Sequence, residues 1–168
     1  MQVFGLAGWS GSGKTTLLTR LILEITGRGL TVSTIKHAHH EFDIDKPGKD
    51  SWLHRQAGAT EVLVASSRRF ALMHELRKAP EPSLDELVAR MAPVDLLLVE
   101  GFKAHAHAKL EVHRPAIGKP LLYPEDSHIV AIASDAALTA PLPVLDLADV
   151  ARIADLILGE DGFGAWRS

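Results

Sequence analysis

Apolar and polar positions alternate along this chain in short blocks of two kinds. Residues 3–6 form an apolar run of strand length. Residues 15–25 then place Leu17, Leu18, Leu21, Ile22 and Ile25 at steps of three and four, which predicts an amphipathic helix ended by Gly27 and Gly29. Residues 30–35, rich in β-branched side chains, predict a second strand. Residues 36–49 are polar and contain Pro47-Gly48, so they read as a loop, and 50–57 as a short helix stopped by Gly58. Two short strands at 61–65 and 70–74 flank Ser66-Ser67-Arg68-Arg69 and predict a hairpin. After a linker at 79–82, Ser83 and Glu86 form a capping box ahead of the apolar face Leu84, Leu87, Val88 and Met91. The run 94–99 is the most apolar and belongs mid-sheet, covered on both faces. Residues 110–113 alternate and predict a half-exposed strand; 129–133 and 144–145 predict two more strands, and 150–158 a closing helix. Strands alternating with helices predict an α/β fold, a three-layer sandwich with a mostly parallel sheet plus a β-hairpin extension, as one domain over 1–168.

The junction of the first strand and first helix carries the most specific chemistry. Gly8-Trp9-Ser10-Gly11-Ser12-Gly13-Lys14-Thr15 is a complete G-x-x-x-x-G-K-[ST] phosphate-binding octad in its proper strand–helix setting. Its glycines allow the backbone N–H groups to turn around phosphate oxygens. The helix that starts there adds its positive end. Gly8 to Thr15, together with Thr16, are the nucleotide-binding candidates, and the fold is expected to be of the P-loop NTPase type. Lys14 is expected on the β- and γ-phosphates and the Thr15 hydroxyl on Mg²⁺.

Glu100-Gly101 ends the apolar strand, where a carboxylate lies beside the phosphate loop and can hold Mg²⁺ or orient an attacking water. Glu100 and Lys14 are therefore the catalytic candidates. The loop after the second strand adds Asp43 and Asp45 as further Mg²⁺ candidates and Lys36, Lys46 and Lys49 as phosphate contacts. His37, His39 and His40 suggest a transition-metal site, which the absence of cysteine argues against. Lys103, His105, His107, Lys109, His113 and Arg114 form a basic stretch after Glu100. Asp135, at the end of a late strand, is placed to accept guanine N1–H and the 2-amino group. The balance of 18 Lys+Arg against 21 Asp+Glu gives a net charge of −3, so a nucleic-acid backbone is not an expected partner. Without cysteine, disulfides and thiol catalysis drop out. No run has the length of a membrane span and no signal segment opens the chain, so a cytoplasmic protein is expected.

Taken together, the octad, Lys36-His37-x-His39-His40-x-Phe42-Asp43-x-Asp45-x-Pro47-Gly48-Lys49-Asp50-Ser51, Arg55-Gln56-Ala57-Gly58-Ala59 and Val99-Glu100-Gly101-Phe102-Lys103 resemble the MobB family of molybdopterin-guanine dinucleotide biosynthesis adaptors. The second stretch is the most specific of these. The resemblance implies a GTP- and Mg²⁺-binding protein with weak GTPase activity, usually a homodimer. It also implies assistance to a MobA-type guanylyltransferase, which attaches GMP to molybdopterin. On that reading Lys36, Lys49, Arg55, Lys103 and Arg114 meet the phosphate of molybdopterin or the pyrophosphate of its guanylylated product. Val62, Val64, Phe70 and Leu72 of the hairpin are expected to present an apolar edge to a second copy. Two other activities fit the octad: a P-loop small-molecule kinase, and a nickel-type metal-insertion GTPase.

Overall fold

A computed structural model describes residues 1–38, 42–103 and 105–160. His39 and His40, from the histidine cluster, lie outside them. The chain divides into two compact units: residues 1–37 with the chain from Ala92 onward, and Ala38–Met91.

The larger unit is built on β1 (Gln2–Ala7), α1 (Lys14–Gly27), β2 (Val32–Lys36), β5 (Leu96–Glu100), β6 (Lys109–His113), β7 (Ile129–Ser134), β8 (Val144–Asp146) and α4 (Val150–Leu158). Its six strands run parallel in the order β2-β5-β1-β6-β7-β8. This is the α/β, P-loop NTPase-type architecture that the alternation of elements predicts. Because all strands are parallel, their carboxyl ends share one edge, and Leu6, Lys36 and Glu100 stand level across three neighbouring strands. Leu17, Leu21 and Ile25 of α1 and Ile153 and Ile157 of α4 cover one sheet face, where they meet Phe4, Leu6, Leu98, Leu110 and Val112. The closing helix starts on an Asp149 cap and stops at Gly159, in the left-handed region. No helix among the described residues is long and apolar enough to cross a membrane.

The other face holds an exception to the hydrophobic pattern. The alternation at 110–113 predicts a half-exposed strand, yet all of β6 is buried. Lys109 and Glu111 point away from the helices and are 1% and 0% exposed. Lys109 Nζ donates to the carbonyls of Lys103 and His105 and to Asp126 at 2.7–3.0 Å. Glu111 accepts from the backbone N–H groups of Leu122 and Tyr123 at 2.8 and 3.0 Å. Three acceptors for the ammonium and two donors for the carboxylate offset the desolvation that burial imposes. Gly5 on the neighbouring strand leaves room for this arrangement: a Cβ there would lie 2.4 Å from His107 Nε2. Burial pushes the His107 imidazole down to about 4, so it is neutral at neutral pH.

The smaller unit carries α2 (Asp50–Gln56), the hairpin β3 (Glu61–Ala65) and β4 (Phe70–His74), and α3 (Leu84–Val88). The expected capping box is formed by Ser83 and Glu86. The hairpin is a separate two-stranded sheet, and its register corrects the expected apolar edge. Val62 pairs with Met73, Leu63 with Leu72 and Ala65 with Phe70, and directly opposed residues share a face. Val62 and Val64 are therefore on one face, with Val62 buried, and Phe70 and Leu72 on the other. The exposed apolar face is Leu63, Phe70 and Leu72, at 59%, 72% and 51% exposure.

Candidate functional site

The phosphate loop leaves β1 with Gly8, Gly11 and Gly13 all at positive φ. Gly8 is there by necessity: a Cβ would fall 2.5 Å from the Val112 carbonyl oxygen. Gly11 instead faces open space, where a Cβ would meet nothing within 4 Å. Gly13 caps α1 without any side-chain hydrogen bond, unlike the capped α3 and α4. The first N–H groups of α1 are thus left for an anion. Lys14 Nζ donates to the Gly8 and Trp9 carbonyls, both at 2.9 Å, so its ammonium lies across the loop. Burial holds the Lys14 ammonium below the usual lysine range; Glu100 opposes this, and Lys103 and Lys36 add to it.

A cavity of about 450 Å³ opens over this loop, lined by Ser10, Gly11, Gly13, Lys14, Thr15, Thr16, Lys36 and Glu100. Lys36 and Glu100 come from the carboxyl ends of β2 and β5. The Thr15 hydroxyl donates to Glu100 Oε1 at 3.3 Å. A hydroxyl and a carboxylate side by side at a phosphate cradle are the donor set that a hard, octahedral cation takes. These residues fit a nucleotide triphosphate with Mg²⁺: Lys14 and the loop amides for the phosphates, Thr15 and Glu100 for the metal. His37 holds the strand end from the other side. Its N–H donates to the Glu100 carbonyl at 2.8 Å and its ring stacks on Phe102 at 4.7 Å. Gly101 is needed at that crossing, since a Cβ would lie 2.5 Å from that of His37.

Arg114 and Asp135 are brought together, a pairing that their separation in sequence hides. Arg114 Nη1 donates to Asp135 Oδ2 at 2.5 Å, while its Nε donates to the Ser12 carbonyl of the phosphate loop at 3.0 Å. Arg114 thus ties the loop to the segment that follows β7.

Asp43, Asp45 and Arg55 belong to the smaller unit and meet one another there. Arg55 Nη2 donates to Asp43 at 2.7 Å and Asp45 at 2.6 Å, and its Nη1 to Glu75 at 2.8 Å. This hydrogen bonding holds the Asp45 carboxyl below its usual range. Lys49 is exposed at the N-cap of α2. Among the described residues, no three His, Asp or Glu side chains converge as a metal site.

The sequence reading missed the surroundings of Trp9. Its indole N–H donates to the Pro120 carbonyl at 2.8 Å. The ammonium groups of Lys103 and Lys119 stand 5.3 and 5.5 Å from its ring centre. The one available signal was the pair of charges at alternate positions in β6, which marks an inward-facing polar row.

Comparison with known proteins identifies a family. A family model described as "Molybdopterin guanine dinucleotide synthesis protein B" matches residues 3–135. The chain is 44% identical over 161 residues to a molybdopterin-guanine dinucleotide biosynthesis adapter protein of Escherichia coli, covering 94% of this chain and 92% of that protein. A protein of the same description from Haemophilus influenzae is 43% identical, with 94% and 88% covered. Among solved structures, a crystal structure of molybdopterin-guanine biosynthesis protein B superposes with a TM-score of 0.73 at 26% identity, covering 94% of this chain and 99% of that one. A homologue from Bacillus stearothermophilus superposes with a TM-score of 0.70 at 26% identity, covering 95% and 97%.

Proposed function

The chain belongs to the MobB family of molybdopterin-guanine dinucleotide biosynthesis adapter proteins, and on that premise we propose that it is a GTP-binding adaptor which assists a MobA-type guanylyltransferase in the cytoplasm. The whole chain is read as one GTP-binding domain with at most slow hydrolysis of its own. The observation that carries this reading is the cavity in which Lys14, the uncapped start of α1, and the adjacent Thr15 and Glu100 converge. When bound, Mg²⁺ supplies charge neutralisation at the β- and γ-phosphates. Thr15 and Glu100 would hold the ion, Lys14 would bind the phosphates, and Glu100 would orient water. Lys36 and Lys103 remain the candidates for the pterin phosphate, whereas the Arg55 guanidinium is already engaged by Asp43, Asp45 and Glu75.

Guanine selection falls to Asp135 at the carboxyl end of β7. Its carboxylate accepts from Arg114, and one oxygen pair can accept from both a guanidinium and a guanine edge. The expected result for Asp135→Asn is a GTP affinity at least tenfold lower with ATP affinity nearly unchanged, since a site built to hydrogen-bond one base rejects the mismatched one. Competition titrations with the two nucleotides measure this. The same protein, added to a MobA-type guanylyltransferase with molybdopterin and GTP, should raise product formation, and Asp135→Asn should blunt that stimulation. Equal losses for GTP and ATP would show Asp135 acting through Arg114 on the Ser12 carbonyl and not on the base.

The hairpin supports a homodimer. Leu63, Phe70 and Leu72 present a contiguous apolar face on a two-stranded sheet too small to be stable alone. A second copy of the same face covers it in a two-fold arrangement. Phe70→Asp with Leu72→Lys is expected to convert a dimer to a monomer in light scattering at micromolar concentration; a monomeric parent would refute the assignment.

A further inference from the structure

We propose that Trp9, Lys103 and Lys119 form a second oxyanion site beside the nucleotide cradle, which takes the phosphate monoester of the pterin substrate. The pterin identity rests on the function proposed above; the anion site itself stands on geometry.

None of the three side chains lines the nucleotide cavity, although the Trp9 carbonyl touches Lys14. The site therefore adjoins the cradle without being part of it. Two ammonium groups from two different segments converge on a single indole, 5.3 and 5.5 Å from its ring centre, and concentrate positive charge at one place beside the cradle. Both segments are fixed from beneath by a buried charge. Lys109 binds the carbonyl of Lys103 itself, and Glu111 binds the N–H groups of Leu122 and Tyr123, just beyond Lys119 and Pro120. Lys109 and Glu111 sit two residues apart on β6, on the same side of the sheet. These two desolvated charges on one strand, neither lining the nucleotide cavity, anchor the backbone of the two segments that carry Lys103 and Lys119.

The chemistry of the ligand follows. Ammonium groups are point charges suited to phosphate, and the indole N–H is already engaged by Pro120, so the ring is held in a fixed plane. A phosphate monoester matches the two ammonium groups by charge, and an aromatic body attached to it would lie against the fixed indole.

The test uses the full chain with Trp52→Phe and Trp166→Phe, so that Trp9 alone emits. With the cradle filled by Mg²⁺ and a non-hydrolysable GTP analogue, inorganic phosphate and a pterin monophosphate are titrated separately. A saturable change in Trp9 emission is expected for both, with the pterin ester bound at least fivefold more tightly. Lys119→Ala should weaken both about tenfold, as loss of one charge-assisted contact does, while the affinity for the analogue shifts less than twofold. Glu111→Gln, which keeps the shape but weakens the hold on the Leu122–Tyr123 amides, should weaken them in the same direction. No saturable change, displacement of the analogue by phosphate, or a loss of analogue affinity in Lys119→Ala equal to the loss of phosphate affinity would overturn the site. Equal affinities for phosphate and pterin ester would overturn its assignment to the pterin. If the analogue itself fails to bind, the GTP-binding function falls, and the same titration on Lys14→Ala protein still reads the second site.

Discussion

Lys14→Ala is expected to weaken GTP binding by ~30- to 150-fold, or about 2–3 kcal/mol, the range for a charge-assisted phosphate contact. The Lys14 ammonium lies against the Gly8 and Trp9 carbonyls, across the loop in which the phosphates are expected. Its partial burial strengthens the contact, because the same charge pair is weaker where water screens it. The neighbouring Lys36 does not compensate: it reaches the cavity from the end of β2, across the sheet from the loop amides. Titration of a fluorescent GTP analogue against both proteins decides the matter, with thermal melting to confirm that the variant is folded. Equal affinities would remove the cradle from the account of function.

Glu100→Gln is expected to lower GTP turnover by roughly 10- to 100-fold while GTP affinity moves less than about threefold, since positioning of water and metal contributes chiefly in the transition state. The substitution keeps the size of the side chain and its ability to accept from the Thr15 hydroxyl, so what is lost is the negative charge at the cavity wall. Glu100 is also held on both sides, by its strand neighbours Leu6 and Lys36 and by the His37 N–H on its carbonyl. The variant should therefore fold. Single-turnover hydrolysis separates chemistry from binding. Unaltered turnover in a folded variant would assign Glu100 to support of Thr15 and not to hydrolysis.

The sequence made the site legible where its logic is local. The octad, Glu100-Gly101 and the Ser83–Glu86 cap each depend on residues within a few positions, and the structure places all three as their spacing implies. It was illegible where partners come from afar. Asp135 reads as a lone acceptor until Arg114, 21 positions earlier, is seen on it. Asp43 and Asp45 read as Mg²⁺ candidates until Arg55 is seen to engage both. The hairpin strands were found, but not their faces, because the register across a turn decides which alternate residue points inward. In β6 the failure was one of sign. Polar alternation ordinarily marks the wet side of a strand, and here it marks a side closed by segments that arrive from both flanks.

That inverted strand also carries a sequence signature of its own, Lys109 and Glu111. The octad is common to a great many nucleotide-binding chains and says little about what they serve. A lysine and a glutamate two apart, in the strand that follows the Glu-Gly turn, are costly in a sheet interior unless the same two loops come back to meet them. A chain that keeps the octad but carries apolar residues at both positions is expected to keep the cradle and to lack these two backbone anchors. The pair is thus expected to serve as a compact fingerprint, readable without coordinates, for chains that anchor both loops.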